Sequence, residues 1–284
     1  MKVLVFGKTG QVATELRKFD NVRALGRGDA DLTDPDACAQ IIHDCSDDVV
    51  INAAAYTAVD AAEGEENLAT IVNGRAPAAM AQAAKERGIP FLHISTDYVF
   101  DGTGTALWTP ADPTSPVNAY GRSKLAGENA IRDIGGAYAI LRTSWVFSAH
   151  GANFVKTMMR LSEQRDELSI VADQIGGPTS AEDIAEALMA IAPQMRDWHT
   201  GGTYHFSGQP AVSWAEFAEE IFRQAGRSTK VHPIPTSEFP TPAARPTNSR
   251  MDGTSTLADF GVVQPDWKTA LGRVLVELGH VQSS

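Results

Sequence analysis

The chain has 284 residues, 43% of them hydrophobic, and 35 acidic against 24 basic side chains give it a formal net charge of −11. A chain of this length buries a large core without linkers. Its acidic balance, with no run of lysines and arginines, argues against a polyanion-binding surface, so neither nucleic acid nor a membrane is an expected partner. Local arginines can still meet a small anion, because a nucleotide needs only a few positive groups and backbone amides.

Val3 to Phe6 is a short apolar run ended by Gly7, the pattern of a strand buried on both faces of a parallel sheet. Gly7-Lys8-Thr9-Gly10-Gln11-Val12-Ala13 follows and opens a helix through Leu16. Gly7 permits a tight turn, Gly10 lets the backbone approach a pyrophosphate, and the helix N-terminus offers free amides. Thr9, Gln11 and Val12 belong to the same cradle. The third glycine of the pattern is replaced by Ala13, small enough to keep helix and strand close. A Walker loop is excluded, since no Gly-Lys-Ser/Thr follows a four-residue spacer.

Val22–Leu25 reads as the second strand and is followed by Gly26-Arg27-Gly28. NAD-selective sites usually place an acid there for the ribose 2′-hydroxyl, whereas Arg27 suits a 2′-phosphate, so NADPH is the expected cofactor, with NADH a second donor. Asp31 and Leu32 come next, where a carboxylate and a backbone amide can reach adenine. Cys38 and Cys45, the only cysteines, read as free thiols without metal spacing. The third strand, Val49–Asn52, runs into Ala53-Ala54-Ala55-Tyr56-Thr57, whose small side chains let a ribose and nicotinamide lie close to the backbone.

A helical pattern at Ala76–Arg87 leads to a fourth strand at Pro90–Ile94 and then Ser95-Thr96-Asp97-Tyr98. After the 101–118 loop come Tyr120 and Lys124, four apart and so on one face of the helix read at Ser123–Ile134. A lysine ammonium beside a phenol favours the phenolate, bringing a group of ordinary pKa about 10 toward neutrality. A fifth strand is read at Tyr138–Leu141. The alternation implies right-handed crossovers and an open, doubly wound parallel sheet of Rossmann type, with its ligand beyond the carboxyl ends of the strands.

The expected division is a nucleotide-binding part over 1–150, joined by some later segments, and a smaller α/β substrate lobe over 151–284. In the lobe, strands are read at Leu168–Val171 and Thr203–Phe206, and helices at Ala181–Ile191, Trp214–Gln224 and Trp267–Leu278. Val231–Pro246 carries five prolines and reads as an ordered loop wrapping the lobe. The N-terminus has no signal-peptide pattern and the chain no apolar run of about 20 residues, so a cytoplasmic location is expected.

The glycine-rich turn, the Asn-Ala-Ala run, Ser95-Thr96-Asp97 and Tyr120-x-x-x-Lys124 resemble the extended short-chain dehydrogenases/reductases in order and position. Within them, Gly7–Val12, Ala53–Asp60, Ser95–Phe100, Arg142-Thr143-Ser144-Trp145-Val146 and Arg245-Pro246-x-Asn248-Ser249 are similar to the dTDP-4-dehydrorhamnose reductases. The resemblance implies reduction of a dTDP-linked 4-keto sugar. Tyr120 would give the proton, Lys124 would lower the tyrosine's pKa and bind the nicotinamide ribose, and Thr96 would hold the keto oxygen. Asp97 would grip a sugar hydroxyl, Trp145 would lie under the pyranose, and Asn153 and Arg245 would meet the nucleotide, Arg245 at its diphosphate. It also implies a homodimer and a magnesium ion held by acids such as Glu15 and Glu182. Two rival readings share the architecture: another sugar-nucleotide reductase or epimerase, and a regulatory subunit like that of methionine adenosyltransferase.

Overall fold

The computed structural model describes residues 1–197 and 201–281. Strands β1 (Val3–Phe6), β2 (Val22–Leu25), β3 (Val49–Asn52), β4 (Phe91–Thr96) and β5 (Tyr138–Thr143) join the Gly202–His205 strand in one six-stranded parallel sheet. The order across it is Gly202–His205, β5, β4, β3, β1, β2. Because successive side chains of a strand point to opposite faces, Val3 and Val5 enter one core and Leu4 and Phe6 the other. Both faces are covered. α1 (Gln11–Leu16) and the Ala181–Gln194 helix pack on the first, while α2 (Pro35–Asp44), Ala76–Glu86 and Ala119–Ile134 lie on the second.

The strand order reverses between β1 and β3, the topological switch where the carboxyl ends of an open sheet leave a crevice. The Ala119–Ile134 helix begins four residues before the start read from periodicity, because the Asn118 side chain accepts from Gly121 N and caps it. Tyr120 therefore stands in its first turn. The Ala181–Gln194 helix and the Gly202–His205 strand, though late in sequence, pack in the sheet's own core.

A third core joins Phe147, Val155, Met158, Phe217, Ile221, Trp267 and Leu271, carried by the Phe154–Ser162, Trp214–Gln224 and Trp267–Glu277 helices. The Trp214–Gln224 helix starts at a capping box made by Ser213 and Glu216. The proline-rich segment departs from the loop read in the sequence. Lys230–Ile234 pairs in parallel with Glu167–Val171, and Pro233 is tolerated because both strands of a two-stranded ribbon are edges. No helix among the described residues is long and apolar enough to cross a membrane.

Candidate active site

The switch point opens into a cleft of about 910 Å³ that runs from the glycine-rich turn and Arg27, past Ala53–Thr57, to Thr96, Asp97, Tyr120, Lys124, Trp145 and Trp214. Gly7 turns at φ +119, a conformation L side chains avoid, and an added Cβ would press on the Ala53 backbone at 3.2 Å and Ala13 Cβ at 3.3 Å. The turn is thus packed against both the helix and the Ala-Ala run. Gly10 caps α1 without a side-chain bond, and a Cβ there would meet nothing within 4 Å, so its amide end faces open space. Arg27 sits at the far rim, 82% exposed and 3.4 Å from Asp31. Thr33 N donates to that carboxylate, which together with the Thr33 side chain and Arg27 holds Asp31 below its ordinary value.

Asn73, buried in a π-helical turn at Ile71–Arg75, ties the cofactor side to the Tyr120 helix. It accepts from Tyr56 N at 2.8 Å and donates to Tyr56 O at 3.0 Å and Ser123 Oγ at 2.9 Å. Gly121 permits the closest approach of that helix, since a Cβ would lie 2.2 Å from Tyr98 O. The Tyr120 ring meets Tyr98 edge to face at 5.7 Å.

The phenol and lysine differ from the sequence reading in their electrostatics. Burial pushes the Tyr120 phenol up to about 12, opposed by a hydrogen bond with Thr96 and reinforced by the Asp97 charge. Lys124 is buried, and loss of hydration pulls it down to about 8 against the charge of Glu128. Its ammonium is committed elsewhere: Nζ donates to Ile94 O at 2.7 Å and lies 3.1 Å from His93 Nε2. A phenol with a high pKa stays protonated at neutral pH and is available as an acid.

Thr96 donates to Asp97 Oδ1 at 3.0 Å and accepts from Tyr98 N at 3.2 Å. The other Asp97 oxygen accepts from Ser249 Oγ, so this carboxylate is anchored to the lobe and orients Thr96. Burial raises Asp97 to about 6, with the Ser249 and Thr96 bonds opposing the rise. Trp145, at φ 48, lines the cleft with its ring stacked on Trp214 at 3.6 Å between centroids. Thr143 Oγ1, buried at the cleft opposite Thr96 in register, has no hydrogen-bond partner.

Other expected residues lie outside the cleft lining. Asn153 is a helix cap: Oδ1 accepts from Lys156 N, and Nδ2 donates to Gln11, Ser148 O and His150 O, which leaves no donor for a nucleotide. The Arg245 fork is filled by Asp60, with both oxygens at 3.0 Å, plus Ala243 O and Thr241. Glu182 is held by Arg273 at 2.7 Å. Glu15 instead converges with His150 and Glu277, their ligand atoms within 4.8 Å of one another. Trp214, Asn73 and Ser249 were not read as site residues. They reach the site through contacts distant in sequence that no local pattern encodes, whereas His93 carried a local signal, a polar residue inside a buried parallel strand.

Residues 1–280 match the model of a family described as the RmlD substrate binding domain. The chain belongs to this family. It is 45% identical to the dTDP-4-dehydrorhamnose reductase of Burkholderia thailandensis over 98% of this chain and 99% of that one. Among solved structures, a dTDP-4-dehydrorhamnose reductase from Clostridium acetobutylicum superimposes with a TM-score of 0.92 at 38% identity, covering 98% and 100% of the two chains. Another from Bacillus anthracis, solved in complex with NADP, gives 0.90 at 36% over 98% and 100%. The carboxyl-end cleft of this chain is lined by the Gly7–Val12 turn, Thr96, Tyr120 and Lys124.

Proposed function

We propose that this chain reduces the 4-keto group of dTDP-4-dehydro-β-L-rhamnose with NADPH to give dTDP-β-L-rhamnose, the last step of dTDP-L-rhamnose synthesis. The observation that carries the reading is the meeting of Thr96, Tyr120 and Lys124 in the same cleft as the glycine-rich turn. The turn suits a dinucleotide: its amides open onto free space at Gly10, and the exposed Arg27 at the rim offers a guanidinium to a 2′-phosphate. When bound, NADPH supplies the hydride.

The remaining chemistry belongs to the chain. Reduction leaves negative charge on the 4-oxygen, and Tyr120, held in its acid form by burial, gives that oxygen its proton. Thr96, which gives its single hydroxyl proton to Asp97 Oδ1 in the free site, would turn that proton to the oxygen as charge develops there. Lys124 stands one helical turn further on the same face, where it would contact the ribose. Trp145, stiffened by the stacked Trp214 ring, offers an apolar wall for the sugar's C–H groups.

A divalent cation at Glu15, His150 and Glu277 would be structural, because none of the three lines the cleft. The test of the reading is steady-state turnover of the purified chain with NADPH and the dTDP-linked 4-keto sugar. Loss of nicotinamide absorbance with stoichiometric formation of the 4-hydroxy sugar is expected, and absence of oxidation at saturating substrate would overturn it.

A further inference from the structure

Two buried side-chain oxygens among the described residues have no hydrogen-bond partner, Thr143 Oγ1 and Ser255 Oγ. Ser255, on the Thr254–Phe260 helix, does not line the cleft, whereas Thr143 does and is only 4% exposed. Buried hydroxyls are nearly always bonded, because they forfeit hydration on folding and regain nothing while unpaired. An open one at the floor of a cleft points to a partner that arrives with the ligand.

The strand geometry fixes where that hydroxyl stands. Thr143 ends β5 and pairs in register with Thr96 at the end of β4. One residue earlier, Arg142 and Ser95 both reach Glu128 on the Tyr120 helix. Side chains alternate along a strand, so Thr143 and Thr96 are turned to the opposite face, above Leu141 and Ile94 in the core shared with α1. The two threonines are neighbours there, on strands spaced about 4.8 Å apart. The hydroxyls around Thr143 are already bonded: Thr96 donates to Asp97 Oδ1 at 3.0 Å, Ser144 to Gly177 O at 2.8 Å and Ser95 to Glu128 Oε1 at 2.6 Å. The chain beyond is pinned as well. Gln11 of the glycine-rich turn donates to Val146 O at 3.4 Å, and Trp145 is stacked on Trp214. Thr143 thus stands one strand from Thr96 and two residues before the Trp145 wall.

We propose that Thr143 is a binding residue for the reactants, its hydroxyl kept open for a neutral hydrogen-bonding group attached beside a reacting carbon. The inference rests on the reductase reading for the identity of that group, and on the open hydroxyl for its place. In that reaction hydride passes from carbon 4 of the nicotinamide to carbon 4 of the sugar. Each of these carbons has a neighbour, carbon 3, that carries such a group: a carboxamide on the nicotinamide and a hydroxyl on the sugar. With Thr96 at the 4-oxygen, the hydroxyl one strand away faces the substituent next along the ring. A threonine serves either source, since its hydroxyl both donates and accepts. It also suits a neutral group, because a hydroxyl offers no charge to balance an ion brought out of water.

Two variants of the full chain test this by binding. Thr143→Val keeps the shape of the side chain and removes the hydroxyl, while Thr143→Ser keeps the hydroxyl. Without ligand, the valine variant should melt at or above the parent, since no bond is lost and an unpaired polar group is removed. Titrated with NADPH by fluorescence and with dTDP-β-L-rhamnose by calorimetry, it should bind at least one of the two roughly 3- to 10-fold more weakly, the scale of one neutral hydrogen bond. The serine variant should hold both affinities close to the parent's. A loss confined to NADPH assigns the hydroxyl to the carboxamide, and a loss confined to the sugar nucleotide assigns it to the sugar hydroxyl. Parent-like affinity for both ligands, or equal losses in the valine and serine variants, would overturn the proposal. So would a valine variant that melts well below the parent or fails to fold, because the hydroxyl would then be bonded in the free chain. A parent chain that binds both ligands yet never oxidises NADPH with the 4-keto sugar would overturn the reductase reading, and the affinity comparison would still decide Thr143.

Discussion

Glu128 provides the most demanding test of how the cleft is held in place. Its side chain is fully buried between the Tyr120 helix and the carboxyl ends of β4 and β5. Oε1 accepts from Ser95 Oγ at 2.6 Å and Arg142 Nε at 2.9 Å, and Oε2 accepts from Arg142 Nη2 at 2.7 Å and Arg132 Nη1 at 3.0 Å. Arg142, 1% exposed, otherwise has the Phe100 ring at 4.9 Å and His205, which burial lowers to about 3 and so keeps neutral. Glu128→Gln would leave the guanidinium buried without its carboxylate. Breaking one side of such a pair costs about 3–5 kcal/mol. At about 2–4 °C per kcal/mol for a chain of roughly this size, the melting temperature should fall by about 6–20 °C.

The pH dependence carries a sign. Burial alone would raise the Glu128 carboxyl, but Arg142, Ser95 and Arg132 together outweigh it and the net shift is downward. A lowered folded-state pKa means stabilisation that is present above the unfolded value of about 4.3 and lost as pH falls through the folded one. The gap between parent and variant in thermal melts followed by circular dichroism should therefore be full at pH 7 and shrink below about pH 4. A difference within about 3 °C at pH 7 would place the pair with exposed ion pairs, worth at most about 1 kcal/mol, and refute the reasoning.

Tyr120→Phe keeps the ring against Tyr98 and removes only the acid, so kcat should fall about 10²- to 10⁴-fold with NADPH affinity nearly unchanged in a fluorescence titration. Arg27→Ala should raise KM for NADPH while leaving KM for NADH unaltered, since the guanidinium at the rim serves only the 2′-phosphate; equal effects on both would remove it from cofactor selection. Ser249→Ala deletes a bond that opposes the rise of Asp97. An acid whose folded pKa is raised loses stability as pH climbs through the window between its unfolded and folded values, here from about 4 to about 6. The variant's pKa should rise further, so its stability deficit in urea titrations should be larger at pH 8 than at pH 5.

The sheet was legible because its strands are buried on both faces: Val3–Phe6 is apolar from end to end, Val49–Ile51 is apolar up to Asn52, and both runs stop at the residues that turn into the cleft. The glycine-rich turn was legible for the same local reason. Local patterns could not show which charges are already spent. Arg245 reads as a free phosphate fork, yet its partner Asp60 lies 185 residues away, and Asn153 reads as a ligand although it caps the helix that follows it. The direction of the Tyr120 shift was likewise out of reach, since it depends on burial and on where the Lys124 nitrogen is bonded, not on their spacing. Pro233 excluded a central strand correctly, but an edge pairing with Ile170 remained open to it.

The central claim is hydride delivery to carbon 4 of the sugar with a proton supplied by the chain. It is tested most directly by running the reaction with NADPH carrying deuterium at both hydrogen positions of nicotinamide carbon 4 and analysing the product by mass spectrometry and NMR. The account predicts one deuterium, at carbon 4 of the product sugar, in step with cofactor oxidation. A product without deuterium there, or a sugar recovered unreduced, would contradict it.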